Sequence, residues 1–140
     1  MSIKTKDIAE NKKLPNHIAI IPDGNRRWAR AHKLQAVWEG HKEGAKRFQE
    51  VIESAFERGV SCITFWAASE DNFTKRSQSE VNYFLNLFES ELERGLSSDT
   101  FVKNEIRVRI IGKGMEINKG RKRLGELIDA LENKTRGFKS

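Results

Sequence analysis

The sequence predicts an α/β fold: a layered domain with a parallel sheet flanked by helices. Three observations carry that expectation. Two short apolar runs, His17–Ile21 and Cys62–Trp66, each end in polar, turn-forming residues, as strands buried on both faces do. Longer segments with apolar residues at helical spacing separate and follow them. The order strand, helices, strand, helix, strand, helix is the one that right-handed crossovers between parallel strands produce. A chain of 140 residues, 37% hydrophobic and 33% charged, is long enough for one domain with its own core. Collagenous, low-complexity and wholly disordered classes are excluded by the same composition.

Residues 1–13 carry Lys4, Lys6, Lys12 and Lys13 without an apolar stretch, so they read as a flexible basic arm and not as a secretory signal. The domain is expected over 14–140. His17–Ile21 is the first strand, and Pro22-Asp23-Gly24-Asn25 ends it. A helix then starts near Asn25 and carries Arg26, Arg27, Trp28 and Arg30. After a break around Gly40, Lys42–Arg58 is helical, with Ala45, Phe48, Ile52, Ala55 and Phe56 on one stripe and Gly59 as its stop. Cys62–Trp66 is the second strand, and Ser69-Glu70-Asp71-Asn72 is the loop leaving it. Ser77–Leu96 is the clearest helix, with Val81, Phe84, Leu85, Phe88 and Leu92 inward; Ser77 caps it and Glu80 completes a capping box. Ile106–Ile111 alternates apolar residues with arginine and is expected as a third strand before Gly112-Lys113-Gly114. Ile117–Leu131 is the last helix, with Leu124, Leu127, Ile128 and Leu131 inward. Three strands make a small parallel sheet, and its unpaired edge predicts self-association or marginal stability of the isolated chain.

Several function classes drop out. Cys62 is the only cysteine, so no disulfide framework exists, and it reads as a reduced core residue. No apolar stretch approaches the ~18–20 residues of a membrane span, and a cytoplasmic location is expected. His17, His32 and His41 show no zinc spacing, and Gly112-Lys113-Gly114 lacks the rest of a phosphate-binding loop. The net charge of +6 points to an anionic partner. Lys103–Arg123 alone holds eight basic residues against two acidic ones, which equals that excess, although such a run is most simply a solvated face.

Two constellations carry chemistry. Asp23 stands past a strand end and before a helix start, the place where ligands sit in parallel α/β sheets. The backbone N–H groups of Gly24 to Arg27 and the charges of Arg26 and Arg27 suit a phosphate or diphosphate. The Asp23 carboxylate beside such an anion suits a divalent cation between the two, Mg²⁺ held by one carboxylate and the ligand's phosphates. The plainer alternative is that Asp23 and Asn25 cap the helix. The second constellation is Ser69, Glu70, Asp71, Asn72 and Phe73 with Lys75 and Arg76, which could meet the first over one cleft or serve only as another cap. His41 is a candidate ligand donor or a structural residue at a helix start.

The run His17-Ile-Ala-Ile-Ile-Pro-Asp-Gly-Asn-Arg-Arg-Trp-Ala29 resembles the signature of the cis-prenyltransferases, the undecaprenyl diphosphate synthase (isoprenyl transferase) family. Gly40-His41-x-x-Gly44, Ser69-x-x-Asn72-Phe73 and Ile106-Arg-Val-Arg-Ile-Ile-Gly112 resemble it in the same order, so the likeness runs from about Leu14 to Leu131. It implies elongation of an allylic diphosphate, such as farnesyl diphosphate, by isopentenyl diphosphate with cis double bonds. Asp23 would hold Mg²⁺ and assist diphosphate departure. Gly24, Asn25, Arg26 and Arg27 would bind the allylic diphosphate, with Trp28 and His41 lining the same site. Ser69, Glu70, Asp71 and Asn72 would form the loop over the reacting carbons, Asn72 in the proton-handling position and Arg76 the matching basic residue. Val81–Leu92 would wall a hydrocarbon tunnel. The sequence departs from the family with Phe73 where Trp is frequent and Gln35-Ala36-Val37 where an arginine is frequent. The Arg-x₅-Arg-x-Ser pattern that grips isopentenyl diphosphate and a further glutamate for Mg²⁺ are not found in it. The resemblance also implies a homodimer or partner chain and peripheral membrane contact through the lipid product. The alternatives are an inactive fragment, a non-catalytic partner subunit, and behind these an anion- or nucleic-acid-binding module on the Lys103–Arg123 face; nucleic acid is not the expected partner.

Overall fold

The computed structural model describes residues 14–112 and 120–139. The basic arm therefore lies outside the described residues, as do Ile117–Lys119 of the last expected helix and most of the Gly112–Gly114 turn. Strand β1 (His17–Ile20) pairs with β2 (Cys62–Phe65) in parallel, with His17 opposite Cys62 and Ile20 opposite Phe65. The helices are α1 (Asn25–Ala31), α2 (Gly40–Glu57), α3 (Glu70–Thr74), α4 (Gln78–Ser97), α5 (Thr100–Lys103) and α6 (Lys122–Thr135). The described residues are thus helix-rich, with a two-stranded parallel sheet.

Both apolar runs form strands, but neither is buried on both faces. β1 alternates exposed and half-buried residues, and β2 is half-buried throughout. Its inner face meets α2 where the rings of Phe65 and Phe48 lie 3.7 Å apart. Between the strands, α2 runs from Gly40 and stops before Gly59, whose φ of 87° only glycine adopts readily.

Ile106–Ile111 is not a strand. It makes no ladder with β1 or β2, yet its alternation is obeyed: Ile106, Val108 and Ile110 are half-buried while Arg107 and Arg109 are exposed. Two of its N–H groups are satisfied by side chains of α6. Val108 N–H donates to Thr135 Oγ1 at 3.1 Å, and Ile110 N–H to Glu132 Oε1 at 2.6 Å. Period-two alternation specifies one-sided burial, and here the buried side faces helices.

The core lies on that side. Val81, Leu85 and Leu92 of α4 pack with Leu124 and Leu131 of α6, and Phe84, Phe88, Phe101, Val108 and Ile110 close around them. The α4 face read as a tunnel wall therefore contributes to this core. Ser77 caps α4, its Oγ accepting the Glu80 N–H at 3.2 Å.

Candidate functional site

A cleft of about 270 Å³ opens at the C-terminal end of β1. Pro22, Asp23, Gly24, Asn25, Arg26 and Arg27 come from the turn and the start of α1, Arg30 from its last turn, His41 from α2 and Arg76 from the turn before α4. The turn is made by Gly24, whose φ of 95° lets the chain reverse into α1. Gly24 is also the N-cap, and no side chain caps α1. The capping alternative thus fails for both residues named. Asp23 Oδ1 accepts from the adjacent Gly24 N–H at 2.6 Å, and its Oδ2 pairs with Arg27 at 2.8 Å, both side chains well exposed. The Asn25 side chain turns to His41, with Nδ2 3.5 Å from Nδ1.

Two glycines dock α2 onto this turn. A Cβ on Gly40 would lie 2.0 Å from the Asn25 carbonyl oxygen, and one on Gly44 would lie 2.7 Å from the Asn25 side-chain amide. Only bare backbone fits there, and the close approach brings His41, one residue after Gly40, to the cleft. Burial holds the His41 imidazole below its ordinary range; Arg76 and Arg26 add to this, and the hydrogen bond and charge of Glu80 oppose it.

Glu80 is the residue that the sequence reading missed. Of the capping box expected at the start of α4, only the Glu80 backbone N–H takes part, donating to Ser77 Oγ. The Glu80 side chain, 3% exposed, lies behind three of the cleft's lining residues, with Oε1 3.3 Å from His41 Nε2, 3.5 Å from Arg76 NH1 and 3.6 Å from Arg26 Nε. The available signal was Arg76-x-x-x-Glu80, an i,i+4 pair across a helix start.

The second constellation divides. Arg76 reaches the cleft, whereas Ser69, Glu70, Asp71, Asn72 and Phe73 do not line it. They build α3: Asn72 Oδ1 accepts the Ser69 N–H at 3.2 Å, Asp71 pairs with Lys75 at 2.6 Å, and Phe73 meets Phe84 edge to face. Trp28 lies on another side of α1, stacked on His32 at 4.0 Å and lining a second hollow with Tyr83. The described part of the basic segment is partly neutralised, with Arg121 pairing with Glu89 and Arg123 with Glu93 on α4. Among the described residues no cluster of three or more His, Cys, Asp or Glu could hold a metal ion. No described helix is long and apolar enough to cross a membrane.

Residues 21–140 match the model of the protein family described as "Putative undecaprenyl diphosphate synthase". The chain belongs to this family. It is 36% identical over 125 residues to a tritrans,polycis-undecaprenyl-diphosphate synthase (geranylgeranyl-diphosphate specific) of Pyrococcus horikoshii, covering 89% of this chain and 46% of that protein. An isoprenyl transferase of Thermus thermophilus is 37% identical over 126 residues, covering 90% and 46%. An isoprenyl transferase of Chlamydia caviae is 43% identical over 102 residues, covering 71% and 40%. The chain spans about half the length of the curated relatives it matches.

Proposed function

We propose that the cleft seats the diphosphate of an allylic substrate such as farnesyl diphosphate, and that the whole protein condenses it with isopentenyl diphosphate to a cis-polyprenyl diphosphate. The observation that carries this is the excess of guanidinium groups: Arg26, Arg27, Arg30 and Arg76 stand against only Asp23 and Glu80. Arg30 has no partner among the described residues. Forked donors in excess at a strand end suit a diphosphate better than a single phosphate. As the allylic C–O bond breaks and the new C–C bond forms, the leaving diphosphate gains charge that these groups stabilise, and a proton is lost from the isopentenyl unit.

Asp23 fits as a single protein ligand for Mg²⁺, since its carboxylate is exposed at the cleft mouth and held, among the described residues, by Arg27 and its own neighbour's N–H. Bound there with the ligand's phosphates, the ion would neutralise the departing diphosphate. Gly24 and Asn25 bind the same group through backbone and amide, and His41 donates to it. Trp28, Ser69, Glu70, Asp71, Asn72 and Phe73 belong to this reading as residues that approach the substrate's carbons when it is bound, Asn72 handling the proton. The same reading places the β1–β2 pair in a layered sheet flanked by helices, in a cytoplasmic homodimer or partnered chain that meets the membrane through its product.

The test is Mg²⁺-dependent incorporation of labelled isopentenyl diphosphate into butanol-extractable product from farnesyl diphosphate. Product that disappears in Asp23→Ala is expected. Farnesyl diphosphate binding that requires Arg27, without product, leaves an inactive fragment or a non-catalytic partner subunit. Binding that requires Arg107 and not Arg27 overturns the site.

A further inference from the structure

Glu80 is the most buried charged side chain described, and it lies where a diphosphate-binding cleft gains least from a negative charge. A carboxylate out of water is costly unless partners surround it. Its partners come from three separate stretches of chain: Arg26 from α1, His41 from α2 and Arg76 from the turn before α4. All three approach the same oxygen, Oε1, at 3.3–3.6 Å. Arg76 and His41 also approach each other, NH1 to Nε2 at 3.4 Å, a contact between two donor-bearing groups that a shared acceptor makes tolerable.

We propose that Glu80 is a positioning residue of the diphosphate seat: one buried oxygen gathers Arg26, Arg76 and His41 into a fixed arrangement at the cleft floor before any ligand arrives. The proposal rests on the reading of the cleft as a diphosphate site. Without that oxygen, the two guanidiniums repel each other, the imidazole loses its acceptor, and the cost of bringing the three together falls on the ligand. The contacts fit such a role. They are longer than bidentate pairs, so the guanidinium edges keep donors free for phosphate oxygens. Arg26 is still 45% exposed in its side chain and Arg76 22%, whereas Glu80 is sealed beneath them at 3%.

Charge alone and positioning predict opposite signs, which makes the proposal testable. Glu80→Gln removes a negative charge from an anion site, so electrostatics alone would tighten diphosphate binding. Positioning predicts weaker binding, by about tenfold, because misplacement of binding groups outweighs one buried charge. The experiment is titration calorimetry of the protein with inorganic diphosphate at fixed ionic strength, for wild type, Glu80→Gln, Glu80→Asp and Arg27→Ala. Glu80→Asp keeps the charge and withdraws the oxygen by one methylene, so it is also expected to bind more weakly, and it keeps the test open if Glu80→Gln does not fold. The His41 ring signals in an NMR titration give an independent readout: Glu80→Gln is expected to move its pKa further down, because the carboxylate that opposes the lowering is gone. Unchanged or tighter binding in the folded Glu80 variants, with Arg27→Ala still weakened, overturns the positioning role alone. Loss of any Arg27 dependence overturns the diphosphate site beneath it.

Discussion

Two arginine-rich regions of this protein look equally basic in sequence and are built in opposite ways. Around α6, Arg121 pairs with Glu89 and Arg123 with Glu93, one carboxylate to each guanidinium along the α4–α6 contact. In the cleft, Arg26 and Arg76 share one carboxylate, Arg27 has the exposed Asp23, and Arg30 has no partner among the described residues. The first arrangement leaves little field for a ligand. The second leaves guanidinium donors unmatched in a concave site, which is what an anion needs. Density of positive charge in sequence is therefore a poor guide to where an anion binds; the ratio of donors to acceptors in space decides it.

The sharpest way to break the contrast is at the backbone. Gly40→Ala puts a Cβ 2.0 Å from the Asn25 carbonyl oxygen, which cannot move without shifting α1. Gly95→Ala meets the Phe101 ring at 2.9 Å and the Leu131 side chain at an ordinary 3.7 Å, and a ring can turn aside. Gly40→Ala is expected to cost about 2–3 kcal/mol in denaturant unfolding and Gly95→Ala less than about 1 kcal/mol. Equal costs would mean that the cleft is not assembled by close helix docking.

Arginine removal gives the next largest effect. Arg27→Ala is expected to weaken farnesyl diphosphate binding about tenfold or more, and Arg123→Ala to leave it within about twofold. Fluorescence or calorimetric titration of both variants distinguishes them, and equal losses would erase the contrast between the two regions.

The smallest effect is titration of His41. Its folded pKa is lowered by burial, so the unfolded chain takes the proton first as pH falls. Stability contributed by neutral His41 is full above its ordinary value of 6.5 and declines as pH drops from there toward the lowered folded value. Unfolding midpoints measured across that window should fall with pH in wild type and fall less in His41→Asn. Opposite slopes would mean that the buried imidazole is held charged.

Most of the elements were legible because their signals are local. Helices α2, α4 and α6 follow from apolar residues at helical spacing, and both strands from short apolar runs ended by turn formers. The partner of Ile106–Ile111 is not legible because alternation records which side is buried, not what lies against it; Thr135 and Glu132 of α6 accept the Val108 and Ile110 N–H groups where a neighbouring strand was expected. The Asp23–Arg27 half of the site was legible because it is contiguous at a strand end. Glu80 was not, because its capping position explained it fully until the fold turned its side chain inward.

By itself, the sequence determined the family, the order of the main elements and the turn at Asp23-Gly24 where the cleft opens. Those properties depend on residues near one another in the chain: glycine's tolerance of positive φ, helical periodicity and a contiguous motif. Only the tertiary structure decided that Arg26, His41 and Arg76 converge on Glu80, that Ser69–Phe73 stay off the cleft, and that Arg121 and Arg123 are paired. Those outcomes depend on burial and on distances between segments tens of residues apart. A buried charge must find its partners wherever the packing of α1, α2 and α4 brings them.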